Sequence, residues 1–141
     1  MQESIESDIE KFLAAQSFAV AGASEDRSKY GNKVFQALVG SGRTVVYPLN
    51  PAAAEIEGHA AYAALADLPL VPESLSVVTP PRITREIIRQ AVEVGVQNIW
   101  MQPGAEDPKG SQIARDAGLN VIDDGSCILV LLATRDRHGN R

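Results

Sequence analysis

The residues best suited to chemistry are Gly22, Ala23 and Ser24, followed a few positions on by Tyr30 and Gly31. An apolar run over residues 18–21 ends at Gly22, and a helical pattern of Val34, Phe35, Leu38 and Val39 begins just after Gly31. A strand, a tight turn and a helix in that order aim backbone N–H groups and a helix N-terminus at one point, which is chemistry for holding a phosphate. Gly22 has no Cβ, so the chain can turn tightly there and an anion can approach the backbone. A larger residue at Gly22 is therefore expected to block the anion while leaving the fold intact. Ser24 adds a hydroxyl donor. The spacing is not G-x-G-x-x-G, and the absence of G-x-x-x-x-G-K-[ST] excludes a P-loop.

Charge is distributed in a way that suits this turn. Glu3, Glu6, Asp8, Glu10, Glu25 and Asp26 make the first 26 residues acidic, whereas residues 27–54 contain no acid and carry Arg27, Lys29, Lys33 and Arg43. Arg27 and Lys29 are thus expected to set up a positive field for a polyanionic ligand beside the turn. The net charge of −5 argues against nucleic acid as the main partner. Other reactive groups are few. His59 follows Gly58 in an irregular stretch and reads as a surface or capping residue more readily than as a base, and His138 falls near the C-terminus. The single cysteine, Cys127, is open to two readings, a packing thiol or a nucleophile near the ligand. Trp100, inside an apolar run, reads as core. No catalytic set and no metal-ligating cluster is predicted.

The elements that must position these residues alternate. Residues 4–16 have Ile5, Ile9, Phe12 and Leu13 on one helical face with Ser4 as N-cap. Strands are expected over 17–21, 44–47, 75–79, 98–102 and 120–122, and helices over 31–39, 84–94 and from Asp107-Pro108 to Ala117. Residues 52–72 are less regular, with a turn at Glu57-Gly58 and one or two helical turns before Pro69. The apolar run 127–133 fits either element type, and 134–141 is expected to be a flexible tail. Strands alternating with helices indicate an α/β chain, a Rossmann-like doubly wound, mainly parallel sheet with helices on both faces. Residues 1–141 read as one domain. Three strands end in proline turns, at Pro48 and Pro51, at Pro80 and Pro81, and at Pro103-Gly104, and the carboxyl ends of parallel strands are where such sheets bind ligands. The acidic N-terminus lacks the basic region of a secretory signal and no apolar run approaches the ~20 residues of a membrane span, so a cytoplasmic protein without membrane contact is expected.

The ligand can be narrowed. A nicotinamide dinucleotide site would carry an acid about 20 residues after the glycine turn. Here that stretch reads Val45-Val46-Tyr47-Pro48-Leu49-Asn50-Pro51, which disfavours NAD.

On these motifs the sequence resembles the small stand-alone CoA-binding proteins, related to the N-terminal domain of the succinyl-CoA synthetase alpha subunit. The resemblance covers residues 18–127. It rests on Val20-Ala21-Gly22-Ala23-Ser24, on Tyr30-Gly31 with Val34, on Val46-Tyr47-Pro48-Leu49-Asn50-Pro51, on Gly58 with Tyr62 and Leu65-Ala66-Asp67-Leu68-Pro69, on Val77-Val78-Thr79-Pro80-Pro81, and on Trp100-Met101-Gln102-Pro103-Gly104. It implies coenzyme A or an acyl-CoA as ligand, with its pyrophosphate on Gly22, Ala23 and Ser24. Pro48, Asn50, Pro51, Thr79, Pro80 and Pro81 would line the adenine and pantetheine path, and Met101, Gln102, Pro103 and Gly104 would stand farther along. Asp123 and Cys127 lie about where such proteins often carry an Asp–Cys pair. The resemblance implies no catalysis by this chain itself. The alternatives are a CoA-ligase or oxidoreductase subunit completed by another chain, and an NAD(P)-type nucleotide-binding regulator. A homodimer or an unidentified protein partner stays open.

Overall fold

The computed structural model describes residues 4–137. The helix α1 (Ile5–Leu13) is capped by Ser4, whose hydroxyl accepts from the Ser7 N–H, and it turns Ile9, Phe12 and Leu13 inward. Five parallel strands follow: β1 (Phe18–Ala21), β2 (Val46–Leu49), β5 (Ser74–Val77), β6 (Asn98–Met101) and β7 (Asn120–Ile122). They lie in the order β2-β1-β5-β6-β7, with Phe18 opposite both Val46 and Ser74. The chain first steps outward from β1 to β2 and then crosses to β5 on the other side of β1. The switch point, where helices leave opposite faces of the sheet, therefore lies between β1 and β5, where open sheets of this kind open a crevice.

Both faces are covered. Side chains of α1, of α2 (Tyr30–Gly40) and of α5 (Ile128–Arg137) join Phe18, Val20, Trp100 and Ile122 in one apolar layer. Those of α3 (Pro81–Val94) and α4 (Pro108–Asp116) join Ala19, Ala21, Leu75, Val77, Ile99 and Met101 in the other. Alternation of strand residues between the two layers is what a doubly covered parallel sheet requires. Trp100 is fully buried, edge-on to Phe12, and donates its indole N–H to the Ser126 carbonyl. No helix among the described residues is long and apolar enough to cross a membrane.

Several boundaries differ from expectation. β2 continues through Pro48 to Leu49. A proline is tolerated because β2 is the edge strand, and the Pro48 carbonyl still accepts from the Tyr62 N–H. The helix expected from residue 84 starts three residues earlier. Pro81 is the first residue of α3, where its fixed φ is preorganised and its missing N–H costs nothing. The irregular stretch contains a hairpin, β3 (Glu55–Ile56) and β4 (His59–Ala60), and a 3₁₀ turn over Leu65–Asp67. In the hairpin Ile56 pairs with His59 across a two-residue loop, Glu57-Gly58, with φ +49° and +80°. That is a primed turn, and a glutamate in its left-handed first position costs roughly 1–2 kcal/mol against a glycine. The apolar run is helical from Ile128, and α5 extends to Arg137, into the stretch expected to be a tail. The rest of that tail, His138 included, lies outside the described residues.

Candidate phosphate-binding cleft

The crevice at the switch point is a cleft of about 430 Å³ whose walls come from the carboxyl ends of three adjacent strands. Gly22, Ala23 and Ser24 follow β1, Asn50 and Pro51 follow β2, Val78, Thr79 and Pro80 follow β5, and Lys29, Tyr30 and Gly31 open α2. A larger hollow of about 530 Å³, lined by Ile5, Asp8, Lys11, Arg115 and residues 118–121, sits at the amino end of β7, away from the strand ends that converge on the switch point.

An anion needs N–H groups to face it and carbonyl oxygens to face away. The cleft is bordered by an uncapped helix start and by a turn whose carbonyls have partners. The first turn of α2 has no side-chain cap and no acid, which leaves its dipole positive toward the cleft. The three carbonyls of the β1–α2 turn are all tied back. The Ala23 oxygen accepts from the Asn50 side-chain amide at 2.8 Å. The Ser24 oxygen accepts from the Asn32 side-chain amide at 2.8 Å. The Gly22 carbonyl is packed so closely under α2 that a Cβ on Gly31 would overlap its oxygen and lie 2.9 Å from its carbon. Gly31 thus provides the tight helix-to-turn packing that the last glycine of a dinucleotide fingerprint provides elsewhere. Ser24 Oγ accepts from the Asp26 N–H at 3.0 Å, so its proton remains to donate outward. Asp26 in turn accepts from the N–H and hydroxyl of Ser28, which holds its carboxyl below the usual carboxylate range.

Gly22 corrects one expectation. Its φ is +92°, and a Cβ there would run into the Val78 carbonyl, 2.6 Å from its oxygen. A side chain at Gly22 would pry β1 from the end of β5, so the residue is required by the fold as well as by the turn.

The positive field is also smaller than the run of bases implied. Arg27, its side chain 77% exposed, is engaged in a two-pronged pair with Glu57 at 2.9 and 3.0 Å. The acid comes from the tip of the β3–β4 hairpin, just beyond the acid-free run, and Arg27 does not line the cleft. The hydrogen bonds from Arg27 and Asn32 hold the Glu57 carboxyl down at about 2. Lys29 remains as the cationic side chain of the cleft wall.

Of the other expected residues, Thr79, Pro80 and Pro51 line the cleft, and the Thr79 hydroxyl lies 2.8 Å from that of Thr84. Pro48 is buried within β2, and Pro81 sits in the helix, so neither lines it. Met101 is fully buried in the layer under α3 and α4, against the Ser111 hydroxyl. Gln102 is fully buried as well. Its amide donates to Ser76, and its carbonyl accepts from the Ile128 N–H and the Tyr30 hydroxyl. Pro103 and Gly104 are exposed after β6, one strand beyond the cleft wall. Tyr30 joins the two regions, lining the cleft while its hydroxyl lies 2.7 Å from Cys127 Sγ. Burial, and then the contact with Cys127, push the Tyr30 hydroxyl pKa up, so it stays protonated. His59 is exposed and stacks edge-on against Phe35. Asp123 pairs with Arg115, not with Cys127. No cluster of metal-ligating side chains occurs among the described residues.

Asn32 and Glu57 escaped the sequence reading. Asn32 had a signal: it is a polar residue on the buried stripe that also carries Gly31, Val34, Phe35 and Leu38. Glu57 had a weaker one, an acid with a long side chain at a turn position that favours Asn, Asp or Gly.

An open parallel sheet with a carbonyl-stripped turn at its switch point defines a Rossmann-like α/β domain. The CoA binding domain family matches residues 16–133, and the chain belongs to that family. It is 29% identical over 91 residues to the alpha subunit of ADP-forming acetate–CoA ligase II of Pyrococcus furiosus, a match covering 64% of this chain and 20% of that subunit. The chain thus spans about a fifth of that relative. Among solved structures, a conserved hypothetical protein of Pyrococcus furiosus is 35% identical, with a TM-score of 0.75, covering 82% of this chain and 97% of that one. The dinucleotide-forming acetyl-coenzyme A synthetase 1 of Ca. Korarchaeum cryptofilum is 25% identical, with a TM-score of 0.71, over 83% of this chain and 27% of its own.

Proposed function

We propose that this protein binds coenzyme A or an acyl-CoA, with the pyrophosphate on the turn Gly22-Ala23-Ser24 and the N-terminus of α2. The observation that supports this reading is the anchoring of the turn: Asn50, Asn32 and Gly31 engage three successive carbonyls beside a cleft that the uncapped start of α2 borders. That arrangement fits a diphosphate and offers nothing to a cation. Lys29 supplies a charge, Ser24 and the turn amides supply donors, and Asn50, Pro51, Val78, Thr79 and Pro80 form the walls against which the rest of the ligand lies. The wall offers donors, a cation and apolar surface to a bound anion, and the reading is one of binding. CoA is favoured over NAD because the stretch after β2, Asn50 to Ala54, supplies no acid for a ribose.

A second reading, a subunit whose reaction is completed by another chain, is favoured by the ligase relative, of which this chain spans only a fifth. Calorimetric titration with CoA and with NAD tests the first reading. Heat with CoA and none with NAD is the expected result; NAD heat without CoA heat refutes it. Enrichment of a ligase-type partner by the tagged protein from its own cell extract, with ATP-dependent acyl-CoA formation that releases ADP and phosphate in the mixture, would establish the second.

A further inference from the structure

A carboxylate beside a polyanion site is electrostatically unfavourable, yet Glu57 stands next to the β1–α2 turn and adopts a backbone conformation ill suited to glutamate. Its contacts explain both facts. Glu57 Oε2 accepts from Asn32 Nδ2 at 2.9 Å, and the same amide donates to the Ser24 carbonyl at 2.8 Å. Asn32 is fully buried, and its own oxygen accepts from Gln36 at 2.6 Å, so the side chain is held at both ends. The bidentate pair with Arg27 fixes the far end of the same loop. The chain of contacts runs from hairpin tip to Glu57, to Asn32, to the Ser24 carbonyl, with Arg27 as a second tie.

Resting on the CoA reading, we propose that Glu57 is a positioning residue for the phosphate turn. It acts through Asn32 and Arg27 to hold the Ser24 carbonyl out of the cleft, so that the turn amides are aimed before the ligand arrives. Glutamate is present because of its reach. Aspartate would suit the primed turn better but is shorter by one C–C bond, about 1.5 Å, which takes its oxygens out of hydrogen-bond range of Asn32 and Arg27.

That opposition gives the test. Glu57→Asp and Glu57→Gln are made in the full chain, and thermal unfolding, CoA affinity by calorimetry and amide hydrogen exchange without ligand are measured. Glu57→Asp, which suits the turn but loses the Arg27 and Asn32 contacts, is expected to melt no higher than the parent and to bind CoA about tenfold more weakly. Glu57→Gln, which keeps the length, is expected to recover most of that loss. Exchange over residues 23–28 is expected to rise about tenfold in the aspartate variant and to stay unchanged in β5 and β6. A residue that serves only the hairpin turn would give Glu57→Asp with equal or better binding. That result, or unchanged exchange in the turn, overturns the proposal. If the parent itself fails to bind CoA, the functional reading falls, and the exchange arm still decides whether Glu57 holds the turn.

Discussion

Gly31→Ala probes the contact on which the cleft depends. In a helix the change would ordinarily stabilise by up to about 1 kcal/mol, because alanine has the higher helix propensity. Here the new methyl would overlap the Gly22 carbonyl oxygen and stand 2.9 Å from the carbonyl carbon and 3.3 Å from Ala23 Cα. Carbon contacts settle near 3.5–4.0 Å, so the first turn of α2 must withdraw from the turn by more than about 1 Å. The Gly22 backbone cannot yield freely, since its N–H donates to the Leu49 carbonyl. Overpacking of this kind costs about 1–3 kcal/mol, and for a chain of this size each kcal/mol lowers the melting temperature by about 3–5 °C. A net loss of up to about 10 °C is expected, together with at least about a tenfold loss of CoA affinity, because binding geometry tolerates displacements of only ~0.5 Å. Gly40→Ala in the same helix is the control. A Cβ there meets nothing within 4 Å, and the variant is expected to be as stable as the parent or slightly more so. Urea unfolding and calorimetry on both variants decide the matter. A Gly31→Ala protein that matches Gly40→Ala in stability and binds CoA like the parent would refute the interlock of turn and helix.

Acid should loosen the same region. With the Glu57 carboxyl at about 2 against an ordinary 4.5, the stability due to its ionised form is complete above pH 4.5 and is lost as pH falls through 2. Melting curves between pH 6 and 2 should fall less steeply for Arg27→Ala than for the parent, and superimposable profiles would count against the pair. Cys127, half-buried and 2.7 Å from the cleft residue Tyr30, should exchange with CoA disulfide, its thiolate displacing one CoA thiolate and retaining the other CoA as a mixed disulfide. Intact mass after incubation reads this directly, and an unmodified chain would return Cys127 to a packing role.

What the sequence made legible was governed by burial on both faces. β1 and its turn stood out because Phe18 to Ala21 are all buried, so the strand is an unbroken apolar run ending in a glycine. α3 and α4 were nearly as clear, with Gly95 in the left-handed cap position and Asp107 capping Gly110. β2 misled because proline is read as punctuation, whereas an edge strand can include it. α5 was ambiguous because it packs through Ile128 and Leu132 while Val130, between them, is 60% exposed, so apolar residues on both sides erase the helical period. In the cleft, the turn and its flanking loops, Asn50 included, could be read, but the contacts that orient the turn could not. Asn50 and Asn32 act by binding backbone carbonyls, and Glu57 reaches Arg27 across 30 positions, relations that leave no local pattern. Met101 and Gln102 illustrate the opposite error, motif residues that serve the interior.

The placement of Trp100 gives the protein a built-in optical reporter. The single indole of the chain is sealed from water, touches Phe12 of the first helix edge-on, and is hydrogen-bonded to the carbonyl of Ser126 just before the last helix. Its emission therefore senses both ends of the described chain at once. Detachment of either terminal helix admits solvent to the same chromophore and shifts its spectrum to the red, while events confined to the opposite face, under α3 and α4, leave it dark to change.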